Sequence, residues 1–390
     1  MQKICVFTGT RAEYGLLKPL MDKILLDKVS HLQILATGMH LSPDFGNTYK
    51  LIEQDGFTID EKIEILLSSD TPVGISKAMG LGLISFSEAL SRLHPDIVVI
   101  LGDRFESMVM ACACMNHRIP IAHIHGGETT QGAIDEAFRH SITKMSHLHF
   151  TSTKEYQRRV IQLGENPDRV FNVGAIGIEN IRKMPLLSKE NLEREIVFDL
   201  GRCFFLITFH PVTLELSTAE SQFVKLLSAL ETLNKTHDNK IKFVFTKANA
   251  DMDGRIINQL IDQYTAQHTE HSIAFTSMGQ LRYLSAMKYA SAVVGNSSSG
   301  IVEAPSFKVP TVNIGDRQKG RIRAHSIIDC EPNQKAILNA LEKALSDSFL
   351  EELTTVTNPH EQPETANRIV EVLKKTDLSS IIKKEFFDIL

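Results

Sequence analysis

Residues 76–104 read SKAMGLGLISFSEALSRLHPDIVVILGDR. Ser76–Leu93 has the length and apolar spacing of a helix, and His94-Pro95-Asp96 turns it, because proline cannot continue a helix. Ile97–Leu101 is then an unbroken apolar run, the mark of a strand buried on both faces, and polar residues return at Gly102-Asp103-Arg104. Helix, turn and buried strand, repeated, build a parallel sheet covered on both sides.

Outward from this unit the pattern repeats. Upstream, Lys3–Phe7 reads as a strand, Gly15–Leu26 as a helix and Leu32–Thr37 as a strand. Downstream, Ile119–His125 is a strand, and helices are expected over Asp135–Met145 and Lys154–Leu163. The alternation is interrupted between Ala175 and Gly201, where Pro185 and the charged run Lys189–Glu195 fall. It restarts with strands at Cys203–Phe209, Ile241–Thr246, Ser272–Phe275, Ala292–Val294 and Thr311–Ile314. A chain of 390 residues is too long for one ordinary core. The expected architecture is α/β: two Rossmann-like, doubly wound domains facing a cleft, residues 1–180 and 181–365. Helices within residues 366–390 are expected to pack back on the N-terminal domain.

Composition narrows the function. A net charge of -5 gives no basic field for nucleic acid and no polybasic footing on a membrane. Any phosphorylated ligand is therefore held by local groups. The apolar run Ile4–Phe7 is too short for a signal sequence, and no apolar stretch approaches the length of a membrane span. The five cysteines, Cys5, Cys112, Cys114, Cys203 and Cys330, lie mostly in apolar runs and have no zinc-like spacing. They read as core thiols of a cytoplasmic protein.

In open α/β sheets ligands sit beyond the carboxyl ends of the strands, and chemistry-bearing residues gather there. Thr8-Gly9-Thr10-Arg11-Ala12-Glu13-Tyr14-Gly15 follows the first strand and lacks the G-x-G-x-x-G of a dinucleotide site. It offers backbone donors and a guanidinium at a helix start, suited to an anion, or else a solvated turn with a helix-start acid. Asp103 ends the strand Ile97–Leu101, as a tunable carboxylate beside Arg104 or as a cap of the next helix. In His123-Ile124-His125-Gly126-Gly127-Glu128, strand alternation sends both histidines to one side. A metal reading of that pair lacks a third ligand at recognisable spacing. Asp135 and Arg139 stand one turn apart on the following helix, so an ion pair on its surface is the plain alternative to a working carboxylate. Asp103, His125, Glu128 and Asp135 together form a group that can supply acids and bases of different pKa.

The second half carries Phe209-His210-Pro211-Val212-Thr213 after its first strand. Gly295-Asn296-Ser297-Ser298-Ser299-Gly300 follows a later one and leads to Glu303. Small hydroxylated residues at a helix start suit a phosphate, the alternative being a serine-rich cap. Lysine is absent, so this is not a P-loop. Gly315-Asp316-Arg317-Gln318-Lys319-Gly320-Arg321 adds cations for a diphosphate.

The segments TGTRAEYG, GDRFES, HIHGGE, DEAFRHSITK, FHPVT, GNSSSGIVEAPS and NIGDRQKGR, in this order, resemble the hydrolysing UDP-N-acetylglucosamine 2-epimerases. The bacterial enzymes that make N-acetylmannosamine for sialic acid are the nearest in pattern. The resemblance implies a glycosyltransferase-B-like fold with UDP held mainly by the C-terminal domain, no cofactor, no metal, and a homodimer or homotetramer. It implies a reaction that removes the C2 proton, expels UDP to give 2-acetamidoglucal, and adds water with the opposite configuration at C2. It assigns proton transfer to Asp103 and Asp135, and places His210 near the diphosphate as an aid to the leaving group. Arg139 steadies the carboxylates or the substrate. Arg11, Ser297, Ser298 and Arg317 fall on diphosphate contacts, Glu303 on a ribose contact and Asn249 on a nucleotide-side contact. Several relatives carry a catalytic Glu where this chain has His125, so that role falls to His125 or passes to Glu128.

Rival readings are a retaining glycosyltransferase, a non-hydrolysing epimerase that keeps UDP attached, and a non-catalytic sugar-nucleotide sensor that needs no Asp103 or Asp135. The sugar is open between UDP-N-acetylglucosamine and UDP-2,4-diacetamido-2,4,6-trideoxyglucose, the precursor of legionaminic-acid-type products.

Overall fold

The computed structural model describes residues 1–389 except 68, 70, 216, 217 and 250–252. By its contacts the chain divides into two compact units. One comprises Met1–Glu128, Ile134–Arg182 and His360–Leu390, the other Thr129–Ala133 and Lys183–Pro359. Where the sequence divided the chain at residues 180 and 365, the contacts divide it at 182 and 359, and they assign one five-residue loop to the second unit.

The first unit is built on seven strands: β1 (Gln2–Thr8), β2 (Ser30–Thr37), β3 (Glu61–Ile63), β4 (Ile97–Leu101), β5 (Ile121–Ile124), β6 (Leu148–Thr151) and β7 (Val170–Asn172). Their order is β3-β2-β1-β4-β5-β6-β7, and every pairing is parallel. The apolar run of β4 serves both faces, as its sequence required. Ile97, Val99 and Leu101 enter one core, and Val98 and Ile100 enter the other.

The helix before β4 starts earlier than its spacing suggested, at Pro72, because Thr71 caps it by accepting the Gly74 N–H at 3.1 Å. This Pro72–Leu93 helix corrects one expectation, since by length and composition it is apolar enough to cross a membrane. It lays Ala78, Phe86, Ala89, Leu90 and Leu93 into the core of the first unit. Its outer side leaves Val73, Leu81, Leu83 and Ile84 exposed.

The second unit has β8 (Cys203–Thr208), β9 (Ile241–Thr246), β10 (Ser272–Phe275), β11 (Ala292–Gly295), β12 (Thr311–Ile314) and β13 (Ile327–Cys330). They run in the order β10-β9-β8-β11-β12-β13, again all parallel. In both sheets the strand order reverses beside the first strand, between β1 and β4 and between β8 and β11. Such a switch point opens a crevice at the carboxyl ends of its two strands.

The interruption read at 175–201 is helical after all. Ile176–Lys183 and Lys189–Ile196 form helices on either side of Pro185. Ser188 caps the second by accepting the Asn191 N–H, and Leu192 and Ile196 are buried in a core of the second unit. At the end of the chain, Thr365–Lys375 sinks Ala366, Ile369, Val370 and Leu373 into the core of the first unit. It is a single helix, because the Asp377 carboxylate takes the Ser379 N–H and hydroxyl in a local turn that competes with further helix. The tail beyond stays on this unit, with Lys384 Nζ donating to Ser146 O and Glu165 Oε2.

Candidate active site

In the first unit the loops after β1 and β4 flank the switch point. The loop after β1 closes on itself. The Glu13 carboxylate accepts the Gly9 N–H at 2.7 Å and the Thr10 N–H at 3.1 Å, and Thr10 Oγ1 accepts the Glu13 N–H, a reciprocal capping box. Two of the amides the sequence offered to an anion are thereby taken. Burial pushes the Glu13 carboxyl up to about 7, against the pull of Arg104. Arg11 opens the helix that this box starts.

Asp103 is not a helix cap, because Arg104 occupies that position for the helix Phe105–His117. Its carboxylate instead meets the Arg139 guanidinium. Arg139 is 1% exposed, so the expected surface pair is a buried hub. Nη2 reaches Asp103, while Nη1 donates to Glu136 Oε2 at 3.0 Å and to Glu128 O at 2.9 Å. One guanidinium thus ties together the loop after β4, the turn after β5 and the helix Asp135–Met145, using the fork geometry that lysine lacks. Asp135 is the first residue of that helix. Glu136, which sequence reasoning passed over, also faces His140 Nε2 at 3.3 Å. Its spacing of three residues from Arg139 was the available signal.

The two histidines after β5 part company. His123 points into the protein, with Nε2 at 2.7 Å from Gly102 O and Nδ1 at 3.2 Å from the Thr143 hydroxyl. Burial pushes its pKa down to about 3, and both ring nitrogens are spent on structure. The alternation expected to put His125 beside it fails, because the strand ends at Ile124 and His125 has φ +67°. Its Nδ1 lies 3.6 Å from Glu128 Oε1, and its Nε2 accepts the Ile176 N–H at 3.3 Å. Glu128 is 2% exposed and also accepts the Ser152 hydroxyl at 2.7 Å. Among the described residues no group of three or more His, Cys, Asp and Glu is arranged to hold a metal ion.

In the second unit Asn296 organises the switch point, a role its place inside GNSSSG concealed. Its carboxamide accepts the His210 N–H at 2.7 Å and donates to His210 O at 2.8 Å, clamping the loop after β8 to the loop after β11. Gly295 permits this approach, since a Cβ there would stand 2.0 Å from Thr208 O and its φ is +129°. The Asn296 carbonyl in turn accepts Arg317 Nη1 at 3.1 Å and Gln318 Nε2 at 2.8 Å. His210, Ser297, Ser298 and Arg317 are thereby gathered around one residue. Ser297 caps the short helix Ser298–Val302, and Ser298 is exposed. Glu303 follows that helix, and burial pushes its carboxyl up to about 7. An acceptor held in so poorly hydrated a place favours ligands that bring their own hydroxyl donors. Asn249 is half-buried, and its carbonyl would lie 2.4 Å from a Cβ at Gly254.

A family model described as UDP-N-acetylglucosamine 2-epimerase matches residues 24–374. The chain is 45% identical over 389 residues to the GDP/UDP-N,N'-diacetylbacillosamine 2-epimerase (hydrolyzing) of Campylobacter jejuni, covering 100% of this chain and 99% of that one. It is 39% identical over 390 residues to polysialic acid biosynthesis protein P7 of Escherichia coli, covering 100% and 98%. Among solved structures, the UDP-GlcNAc 2-epimerase of Neisseria meningitidis bound to UDP-GlcNAc matches with a TM-score of 0.80 at 17% identity, over 96% of this chain and 100% of that one. That likeness establishes the fold, two parallel-sheet α/β domains of the glycosyltransferase-B-like kind. The match to the family model across most of its length shows that this chain belongs to the UDP-N-acetylglucosamine 2-epimerase family.

Proposed function

We propose that the protein is a hydrolysing 2-epimerase of a UDP-2-acetamido sugar. A carboxylate takes the C2 proton, the C1–O bond to UDP breaks, and 2-acetamidoglucal and UDP result. Water then adds, its hydroxyl to C1 and a proton to C2 on the opposite face. Asp103 and Asp135 carry the proton transfers, with Arg139 holding Asp103 in place. His125 and Glu128 act together: the Ile176 N–H occupies Nε2, so any proton that His125 exchanges travels through Nδ1 and Glu128. In the second unit His210 assists the leaving diphosphate, and Ser297, Ser298 and Arg317 bind it. Glu303 takes the ribose hydroxyls, and Asn249 contacts the nucleotide.

The observation that carries this reading is the buried Arg139 joining Asp103, Glu136 and the Glu128 carbonyl at the switch point of the first sheet. A sugar-nucleotide sensor needs only the second unit's loops and has no use for a buried guanidinium aimed at a half-exposed carboxylate. For the sugar, the 45% relative favours UDP-N,N'-diacetylbacillosamine, and the description of the matching family model supports UDP-N-acetylglucosamine. We assign the first as the preferred substrate. Parallel turnover of the two sugar nucleotides, followed by release of free UDP, tests the choice. A higher kcat/KM for UDP-N-acetylglucosamine reverses it.

A further inference from the structure

His123 stands in β5, where strand pairing sets it opposite Ile100 of β4, with Ile124 opposite Leu101. These two neighbours of β5 hold the turn that follows β4. The Gly102 N–H donates to Ile124 O at 3.0 Å, and Gly102 O lies 2.7 Å from His123 Nε2. A carbonyl can only accept, so Nε2 carries the ring proton. Burial brings the pKa of the ring down to about 3, with the nearby His149, His125 and His140 acting in the same direction, so the ring is neutral. Nδ1 is then an acceptor, and it faces the Thr143 hydroxyl at 3.2 Å. That hydroxyl also donates to Arg139 O at 3.0 Å, so its one proton serves two acceptors.

The ring thus meets both halves of the Asp103–Arg139 pair through their backbones. On one side is the peptide unit that joins Gly102 to Asp103. That unit is planar, so fixing Gly102 O also fixes the Asp103 N–H and Cα. On the other side Thr143 stands one turn beyond Arg139 on the same helix, and its hydroxyl bonds back to that residue. His123 and Thr143 are both fully buried. Gly126 leaves room for their contact, since a Cβ there would stand 3.0 Å from His123 Nδ1 and from Thr143 Oγ1. All of these residues belong to the first unit. Arg139 has other partners, Glu136 and the Glu128 carbonyl among them, so the share of the ring is the spacing between the two backbones.

We propose that His123 is a positioning residue that sets the Asp103 turn against the Arg139 helix, through Nε2–H on Gly102 O and Nδ1 on the Thr143 hydroxyl. The proposal rests on the reading that Asp103 transfers a proton. His123 exchanges none itself, because one nitrogen is committed to a carbonyl and the other to a hydroxyl. A displacement of about 1 Å at a reacting group costs about a hundredfold in rate, so a modest shift of the Gly102–Asp103 peptide is visible in turnover.

Glutamine and asparagine separate the two nitrogens. The glutamine amide nitrogen is as many bonds from Cβ as Nε2 is, so His123→Gln keeps the donor to Gly102 O. The asparagine oxygen matches Nδ1 instead, so His123→Asn keeps only the Thr143 contact. Each variant deletes one hydrogen bond, and the two should melt at similar temperatures. Their rates should differ. In His123→Asn kcat falls by about ten- to a hundredfold, His123→Gln stays about tenfold above it, and UDP affinity in both is within about threefold of wild type. Thr143→Val leaves the ring in place and lowers kcat by about three- to tenfold, and it carries the test if the asparagine variant folds poorly. Nitrogen NMR of histidine-labelled wild type, assigned by the signal lost in His123→Gln, reads the ring without requiring turnover. It should show a neutral ring protonated on Nε2 from about pH 8 to about pH 5. A kcat that follows melting temperature across the three variants marks a merely structural histidine and overturns the positioning role. So does a ring that carries its proton on Nδ1 or is charged at neutral pH. Either result leaves the functional reading intact when the wild type releases UDP. A wild type that turns over neither sugar nucleotide overturns that reading, and the positioning role with it.

Discussion

Replacing Arg139 with methionine keeps most of the buried stem and deletes the guanidinium that joins three elements. The wild-type residue is 1% exposed, and the bonds lost run to Asp103, to Glu136 at 3.0 Å and to the Glu128 carbonyl at 2.9 Å. Removing one partner of a buried ion pair costs about 3–5 kcal/mol. The Asp103 and Glu136 side chains keep 21% and 26% exposure, so water partly compensates them and lowers the cost to about 2–3 kcal/mol. In a unit of this size each kcal/mol is worth about 2–4 °C, giving a melting point about 4–12 °C lower. Turnover falls by about a hundredfold or more, because Asp103 loses the group that orients it. Arg139→Lys restores charge without the fork, so it recovers part of the stability and little of the rate. Thermal unfolding, UDP affinity and kcat measured on the same preparations decide the matter. An Arg139→Met protein that melts within about 1 °C of wild type and turns over within about threefold refutes the hub, since neither figure fits the loss of a buried charge partner.

Asp103→Asn and Asp135→Asn should each lower kcat by about two to four orders of magnitude while UDP affinity stays near wild type, as steady-state rates and calorimetry would register. Were either a surface charge only, turnover would barely change. Ser298→Ala and Arg317→Ala should weaken UDP binding by about 1–3 kcal/mol each, and unaltered affinity would move the diphosphate elsewhere. Glu165 sets part of the acid limit of stability. Burial would raise its carboxyl, but His149, Lys144 and Lys384 outweigh that and bring it down to about 2. Its folded pKa lies below the unfolded value of about 4.3, so its contribution is complete above that pH and disappears as pH falls toward 2. The destabilisation caused by Glu165→Gln should therefore shrink between pH 6 and pH 2. A constant difference across that range would contradict it.

Much of the fold was written in burial patterns that survive in one dimension. Ile97–Leu101 is apolar on both faces because both faces are covered, and the strand ends carry polar residues because sheets of this kind open there. What escaped depended on partners distant in sequence. The short edge strands Glu61–Ile63 and Val170–Asn172 have too few residues for a periodic signal. His125 leaves the strand alternation through a left-handed backbone that the following glycines suggested but did not place. Asn296 read as a loop polar residue, and the spacing of Arg139 offered only a surface pair with Asp135, since only the folded chain brings His210 to the first and Asp103 to the second.

Phosphorus and proton NMR of the wild-type enzyme turning over UDP-N,N'-diacetylbacillosamine and UDP-N-acetylglucosamine in deuterated buffer, with excess chelator, bears most directly on the proposed chemistry. Elimination followed by hydration predicts that free UDP accumulates in step with a released 2-epimeric sugar that carries deuterium at C2. Recovery of an epimerised sugar still attached to UDP, or release of UDP with the C2 proton retained, would contradict it.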